Sequence, residues 1–287
     1  MKLTRYAVRA LRKVGLLDNF VFNVPIKLSG KVVQVPMVKG VGFIYVLDFE
    51  PFMDELIKRL TPLFPGVFVD AGVNLGQTLI KAKAARPDIV YLGLEPNPVC
   101  VDYTQRLVRA NNFANVTLVP AGLTDHDGEG GLVLWNGEAG DPTASLLSDL
   151  KPQRANQREV PVKLVTWATV EKQAPIGKLG FVKIDVEGSE LDVLEQLAPR
   201  LRSDRPITVV EVLPPYDPPM PERVERQKRM EALFRSLDMK LFRIHKDSSP
   251  LRLEPMEEFG IFTLQELSDH LVVPSERVGD VLKAFSR

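Results

Sequence analysis

Phe181-Val182-Lys183-Ile184-Asp185-Val186-Glu187-Gly188-Ser189-Glu190 passes from an apolar run into three acids and a glycine, immediately before a helical pattern. In an open α/β sheet the carboxyl end of a strand faces the ligand crevice, so this reading presents Asp185 and Glu187 to whatever binds. Outward from this stretch, the same succession of strand, polar turn and helix recurs. Strands are expected at 67–71, 89–95, 116–120, 181–186 and 207–213, with helices at 76–85, 98–111 and 189–197 between them. A further charged helix is expected at 222–237 and late strands at 240–245 and 259–264. The alternation predicts a doubly wound, Rossmann-like α/β sheet with helices on both faces.

The 287 residues carry 37 Lys and Arg against 37 Asp and Glu, so no global field recruits nucleic acid or an anionic surface. A small or neutral partner is favoured. One cysteine, Cys100, excludes an intrachain disulfide or a cysteine zinc site and suits a reducing, cytoplasmic compartment. No apolar run reaches the length that spans a bilayer. Residues 1–65 read as an appendage: a basic amphipathic helix at 2–17, short strands at 21–28, 31–38 and 42–47, and a helix at 50–63. That first helix is expected to pack on its own domain or on another subunit, as in a homo-oligomer, with weak contact to a membrane surface as the alternative. Residues 66–287 form the main domain, and the polar stretch 136–159 within it is long enough to serve as a lid.

The first turn of the main domain, Asp70-Ala71-Gly72-Val73-Asn74-Leu75-Gly76, leads a strand through two glycines into a helix, where backbone approaches a ligand closely and free amides face it. It departs from the G-x-G-x-x-G dinucleotide pattern, and Asp70 would repel a pyrophosphate. The second strand ends Leu94-Glu95-Pro96-Asn97, at the spacing where an acid takes ribose hydroxyls. An acid, a glycine loop and a second acid describe a site for a nucleoside without phosphates, and S-adenosyl-L-methionine is the natural candidate. Asn97 either reaches the ribose or adenine edge or caps the following helix.

These motifs, with Lys183-Ile184-Asp185-Val186-Glu187-Gly188-Ser189-Glu190, resemble those of FkbM-type methyltransferases, class I enzymes that use S-adenosyl-L-methionine and mostly methylate sugar or polyketide hydroxyls. The resemblance spans roughly 67–212 and includes an acidic turn, Thr124-Asp125-His126-Asp127-Gly128. It departs at Leu164-Val165-Thr166-Trp167-Ala168, where relatives carry Leu-Asp after the threonine. It implies seven strands with the last antiparallel, Asp70, Gly72, Asn74 and Gly76 at the methionine end, Glu95 at the ribose, Ala121 and Gly122 at the adenine, and Asp185 near the transferring methyl.

A hydroxyl acceptor needs alignment and a base, and Asp185, Glu187 and Glu211 all fall at strand ends on the ligand side. The same acids, Asp185 and Glu211 above all, offer oxygen ligands to magnesium, which would polarise the hydroxyl. Glu190 reads as a first-turn helix acid. His126 and His245 are alternative bases, and His245 and Tyr216 are candidates on the substrate side, Tyr216 in the stiff run 214–221; His270 reads as structural. The expected function is O-methyl transfer to a small molecule or glycan. The alternatives are N- or C-methyl transfer, an NAD or nucleotide-sugar oxidoreductase, and a cofactor-binding module without catalysis.

Overall fold

Residues 2–47, 49–138, 140–147, 156–173, 176–215, 220–247 and 251–286 are described by the structure, a computed structural model. Helix α1 (Lys2–Lys13) precedes the hairpin β1 (Val21–Leu28) and β2 (Lys31–Val38), followed by α2 (Pro51–Leu60). The main alternation runs β3 (Val67–Ala71), α3 (Gln77–Ala85), β4 (Tyr91–Leu94), α4 (Pro98–Asn111) and β5 (Val116–Val119). A small sheet follows from β6 (Gly122–Leu123), β7 (Gly128–Leu134) and β8 (Arg158–Val165), then α5 (Trp167–Gln173). The chain re-enters the large sheet with β9 (Leu179–Ile184), α6 (Glu190–Asp204) and β10 (Ile207–Glu211). It closes with α7 (Pro221–Ser236), β11 (Met239–His245), β12 (Arg252–Met256), β13 (Asp269–Pro274) and α8 (Val278–Phe285).

The large sheet has the order β12-β11-β13-β10-β9-β3-β4-β5. Strands β10, β9, β3, β4 and β5 pair in parallel, while β13 pairs antiparallel to both β10 and β11. Seven strands therefore match the expected arrangement, the last in sequence being reversed, and β12 is an additional antiparallel edge. Strand order reverses between β3 and β9, since β4 and β5 extend one way from that pair and β10 the other. Such a switch point opens a crevice at the carboxyl ends of the strands.

Alternate residues of the buried strands feed two different cores. Val69, Ala71, Val182 and Ile184 pack with Trp167, Leu194 and Phe234 of α5, α6 and α7. Phe68, Tyr91 and Phe181 pack on the opposite face with Leu56, Leu79 and Val281 of α2, α3 and α8. Phe68 stacks on Phe181 at 4.5 Å and on Tyr91 at 5.5 Å, an array that sets the register of β9, β3 and β4. Truncating Phe68 to alanine would cost about 3–5 kcal/mol. The hairpin buries Val24, Val35 and Met37 against Ile80, Tyr103 and Leu107 of α3 and α4, so the N-terminal unit lies against the same helices that frame the crevice.

Two expected strands are absent. Residues 42–47 fold as a 3-10 turn, Phe43–Val46, because Gly42 takes φ 97° where a Cβ would meet Pro36 O and Tyr103 Oη at 2.3 Å. Residues 259–264 form no strand; Phe259 and Phe262 turn inward onto the His270 ring, and the pairing strand is 269–274 instead. Among the described residues no helix is long and apolar enough to cross a membrane.

Candidate active site

The crevice at the switch point is a single cavity walled by the β3–α3 turn, the ends of β4, β9 and β10, and residues 121–123. It is capped by 141–146 and by Ile44, Phe49 and Glu50 of the N-terminal unit. Gly72, Asn74, Glu95, Asn97, Ala121, Gly122, Asp185, Glu187 and Glu211 all line it. The sequence motifs, far apart along the chain, are thus brought to one place by the parallel register.

Local geometry explains why these residue types stand here. Gly72 has φ 87°, and a Cβ there would lie 1.8 Å from the Asp185 carbonyl oxygen, so the two loops touch backbone to backbone. Asn74 adopts φ 51°, a left-handed conformation that asparagine tolerates. Its N–H donates to Glu95 Oε2 at 2.7 Å, while Asn97 N–H donates to Glu95 Oε1 at 2.8 Å. Burial pushes the Glu95 carboxyl up to about 7 against these two backbone donors. Asn97 caps α4, accepting from Val99 N–H at 3.0 Å, and its side chain also borders the cavity.

Lys183 is one residue of the wall to which the sequence assigned no role. It sits beside Asp70 in the β3–β9 register, its ammonium 3.2 Å from Asp70 Oδ1 and 3.2 Å from Asp185 Oδ2, and it donates to Gly72 O at 2.8 Å. Burial disfavours that charge, but Asp185 and Asp70 together hold the lysine above its ordinary range. A lysine inside an otherwise apolar strand, level with an acid in the neighbouring strand, is the signal that could have found it. Asp70 itself has no exposed surface and is absent from the cavity wall; Tyr91 Oη and Lys183 hold it below the floor. Burial raises its pKa, with Lys183 and Tyr91 pulling the other way.

Asp185, Glu187 and Glu211 each place a carboxylate oxygen within 4.8 Å of the others. Burial works against ionising Asp185, yet Lys183 and a hydrogen bond from Glu211 keep its pKa below the ordinary range. Glu211 goes the opposite way, well up, through burial and the Asp185 charge. Gln265 Nε2 and Ser268 Oγ donate to Glu211 Oε1 at 2.6 and 2.9 Å, and Glu211 is also hydrogen-bonded to Asp185. Glu211 therefore holds a proton more tightly than Asp185 does.

Six acidic side chains, Glu50, Glu95, Asp141, Asp185, Glu187 and Glu211, line the cavity, and Lys183 is the one cation among the described lining residues. Ser189 Oγ, also in the wall, has no hydrogen-bond partner among the described residues. Such a wall accepts hydrogen bonds and positive charge, and it opposes phosphates.

The remaining expected site residues lie elsewhere. Gly76 begins α3 at φ 85° against Leu107 and Thr104 of α4, outside the wall. His245 pairs with Glu254 across β11 and β12 at 2.5 Å, and His126 pairs with Asp125 on an exposed turn; neither borders the cavity. In that turn Asp127 accepts from Thr166 N–H and Thr169 Oγ, fastening the start of α5, where Trp167 is buried. Glu190 is buried at the start of α6, accepting from Gly188 N–H, with burial raising its pKa to about 7. Tyr216 lies outside the described residues, as do 139 and 148–155 of the expected lid. Of that segment, Asp141, Pro142, Ala144 and Leu146 face the cavity, Ser145 bridges to Val133 of β7 and donates to Glu187 O at 2.8 Å, and residues 158–159 belong to β8.

Residues 70–241 match the Methyltransferase FkbM domain. A curated relative, Methyltransferase 1 of Beauveria bassiana (strain ARSEF 2860), is 25% identical over 163 residues, covering 52% of this chain and 61% of the relative. The chain thus spans about three-fifths of that relative's length. Among solved structures, methyltransferase FkbM from Methylobacillus flagellatus KT aligns at 13% identity and TM-score 0.42, covering 72% of this chain and 43% of that one. An O-methyltransferase from Bacillus cereus in complex with SAH aligns at 11% identity and TM-score 0.47, covering 79% and 82%.

Proposed function

The chain belongs to the Methyltransferase FkbM domain family, and on that premise we propose that it transfers a methyl group from S-adenosyl-L-methionine to a hydroxyl of a small molecule or glycan. The observation that carries this reading is the wall of six acidic side chains and one paired lysine at the switch point. It suits a cationic nucleoside and repels the pyrophosphate of NAD or of a nucleotide sugar. When bound, S-adenosyl-L-methionine supplies a methyl group on a cationic sulfur, open to in-line attack.

The residues then divide the work. Glu95, with each oxygen already fixed by a backbone donor, has lone pairs left for the two ribose hydroxyls. Gly72 and Asn74 bring backbone to the methionine end, and Ala121 and Gly122 face the adenine. Asp185, partly open to the cavity, accepts the hydrogen bond of the acceptor hydroxyl and takes its proton, while Glu211, in the same wall, steadies Asp185 through a hydrogen bond. Glu187, on the α6 side, completes the acceptor pocket.

The three acids Asp185, Glu187 and Glu211 are also a hard oxygen set that fits magnesium, which would polarise the acceptor hydroxyl. Lys183 offsets part of the charge of this cluster; turnover that survives EDTA is expected, and turnover that disappears in EDTA and returns with magnesium would replace the metal-free reading. An amine acceptor is the second reading, favoured by the same excess of carboxylates.

The test is calorimetry of the full chain with S-adenosylhomocysteine and with NAD, followed by turnover on hydroxyl and amine acceptors. Binding of S-adenosylhomocysteine alone, with methyl transfer to a hydroxyl, is the expected result. NAD binding without S-adenosylhomocysteine binding would overturn it.

A further inference from the structure

The formal charge of zero conceals a separation. Residues 1–47 contain eight Lys and Arg and one acid, Asp18, a net +7, which leaves −7 on the other 240 residues. A charge so concentrated is a local field whatever the total.

The same unit exposes apolar side chains that its fold does not use. Helix α1 turns Val8 inward, while Tyr6, on the outward face, is 69% exposed. Val14 (64%) and Leu16 (47%) follow the helix, Phe20 (47%) precedes the hairpin and Val21 (64%) begins it. Contacts tie these ends together: Lys39 N–H donates to Phe20 O at 3.1 Å, and Gly40 lies against Asp18 and Arg12. Arg9, Arg12, Lys13 and Lys39 are all exposed around them. Apolar side chains interleaved with cations are what an anionic bilayer surface accepts, the first entering the acyl boundary and the second meeting the headgroups. A nucleic acid would use the cations and leave the aliphatic side chains in water.

We propose that this N-terminal surface, where Tyr6, Val14, Leu16, Phe20 and Val21 are exposed together with Arg9, Arg12, Lys13 and Lys39, docks the protein on an anionic lipid surface. Its position gives the contact a consequence. Arg12 lies over the Phe43 ring at 5.6 Å, and the next residue, Ile44, is part of the cavity wall, so the docked face adjoins the active-site cavity. The binding itself stands apart from the methyl-transfer reading, because vesicle association needs neither cofactor nor turnover.

The experiment is co-sedimentation of the full chain with vesicles of phosphatidylcholine alone and with about one part in three phosphatidylglycerol. Association with the anionic vesicles only is expected, weakening as NaCl rises from about 50 to about 500 mM. Each basic residue at such a surface contributes a factor of about five, so R9E/K13E/K39E should bind at least about a hundredfold more weakly. F20S/V21S should also lose binding; both sites are exposed, and an unchanged melting temperature shows that each variant is folded. Equal binding of both vesicle types, failure to bind either, or retention of an oligonucleotide in place of the anionic vesicles would overturn the proposal. So would a dimer that F20S/V21S dissociates while vesicles leave the wild type unbound.

Discussion

Lys183 and Asp185, two residues apart along one strand end, form an ion pair at 3.2 Å, and the same ammonium reaches Asp70 in the neighbouring strand. One cation therefore balances a carboxylate open to the cavity and another sealed beneath it.

Lys183→Met removes that balance. Breaking a buried pair and leaving the acids uncompensated costs about 3–5 kcal/mol of stability. In the folded fraction, Asp185 loses the attraction that holds its pKa down, so the acidic limb of the kcat profile moves to higher pH. A urea titration and a pH–rate series on the variant measure both effects; an unmoved limb would separate Lys183 from the chemistry.

Gly72→Ala meets two obstacles. Positive φ at alanine costs about 1–2 kcal/mol, and the Cβ has no room beside the Asp185 carbonyl. A lower melting temperature together with loss of S-adenosylhomocysteine binding is expected, read by thermal denaturation and calorimetry.

The Glu95 carboxyl, pushed up to about 7 by burial, gives cofactor binding a pH dependence with a definite sign. Two hydroxyl donors require the ionised form, so affinity is full above about pH 8 and falls about tenfold per unit below about 7. The dissociation constant of S-adenosylhomocysteine from about pH 5.5 to 8.5 tests this. Glu95→Gln should bind weakly at every pH, with that limb of the profile flattened.

His270 has no exposed surface, and burial drives its pKa down to about 3. The folded state keeps the ring neutral while the unfolded state takes up a proton below about 6.5, so this residue makes the fold less stable as pH falls from about 6.5 toward 3. His270→Phe, beside Phe259 and Phe262, removes that contribution. The difference in unfolding free energy between variant and wild type should shift in the variant's favour between about pH 7 and pH 5, measured by urea denaturation.

The central strands were legible because each is a short apolar run ended by an acid or a turn, and their parallel pairing follows from the helices between them. The late strands were not. Residues 259–264 look like a strand by composition, whereas β13 begins Asp269-His270 and looks polar until Lys246 is seen pairing with Asp269 and the histidine with Ser268 O. The hairpin β7–β8 escaped for a similar reason. Gly130 and Gly131 weaken the strand signal, yet each makes room for a facing side chain, Leu164 and Glu159. In the site, motifs located Glu95, Asp185 and the glycine turn. Phe49 and Glu50 went unread because no motif ties the N-terminal unit to the crevice; only the packing of the hairpin on α3 and α4 brings it there.

The backbone contact between Gly72 and Asp185 has a bearing on engineering. The turn that would receive the methyl donor and the turn that would receive the acceptor share a surface with no side chain between them, so neither is a detachable cassette. Exchanging residues 183–190 for those of a relative, to import a new acceptor preference, will detune donor affinity unless 70–76 comes from the same source. Selectivity in this scaffold is better altered at Phe49 or Pro142, which border the same cavity from other segments of the chain.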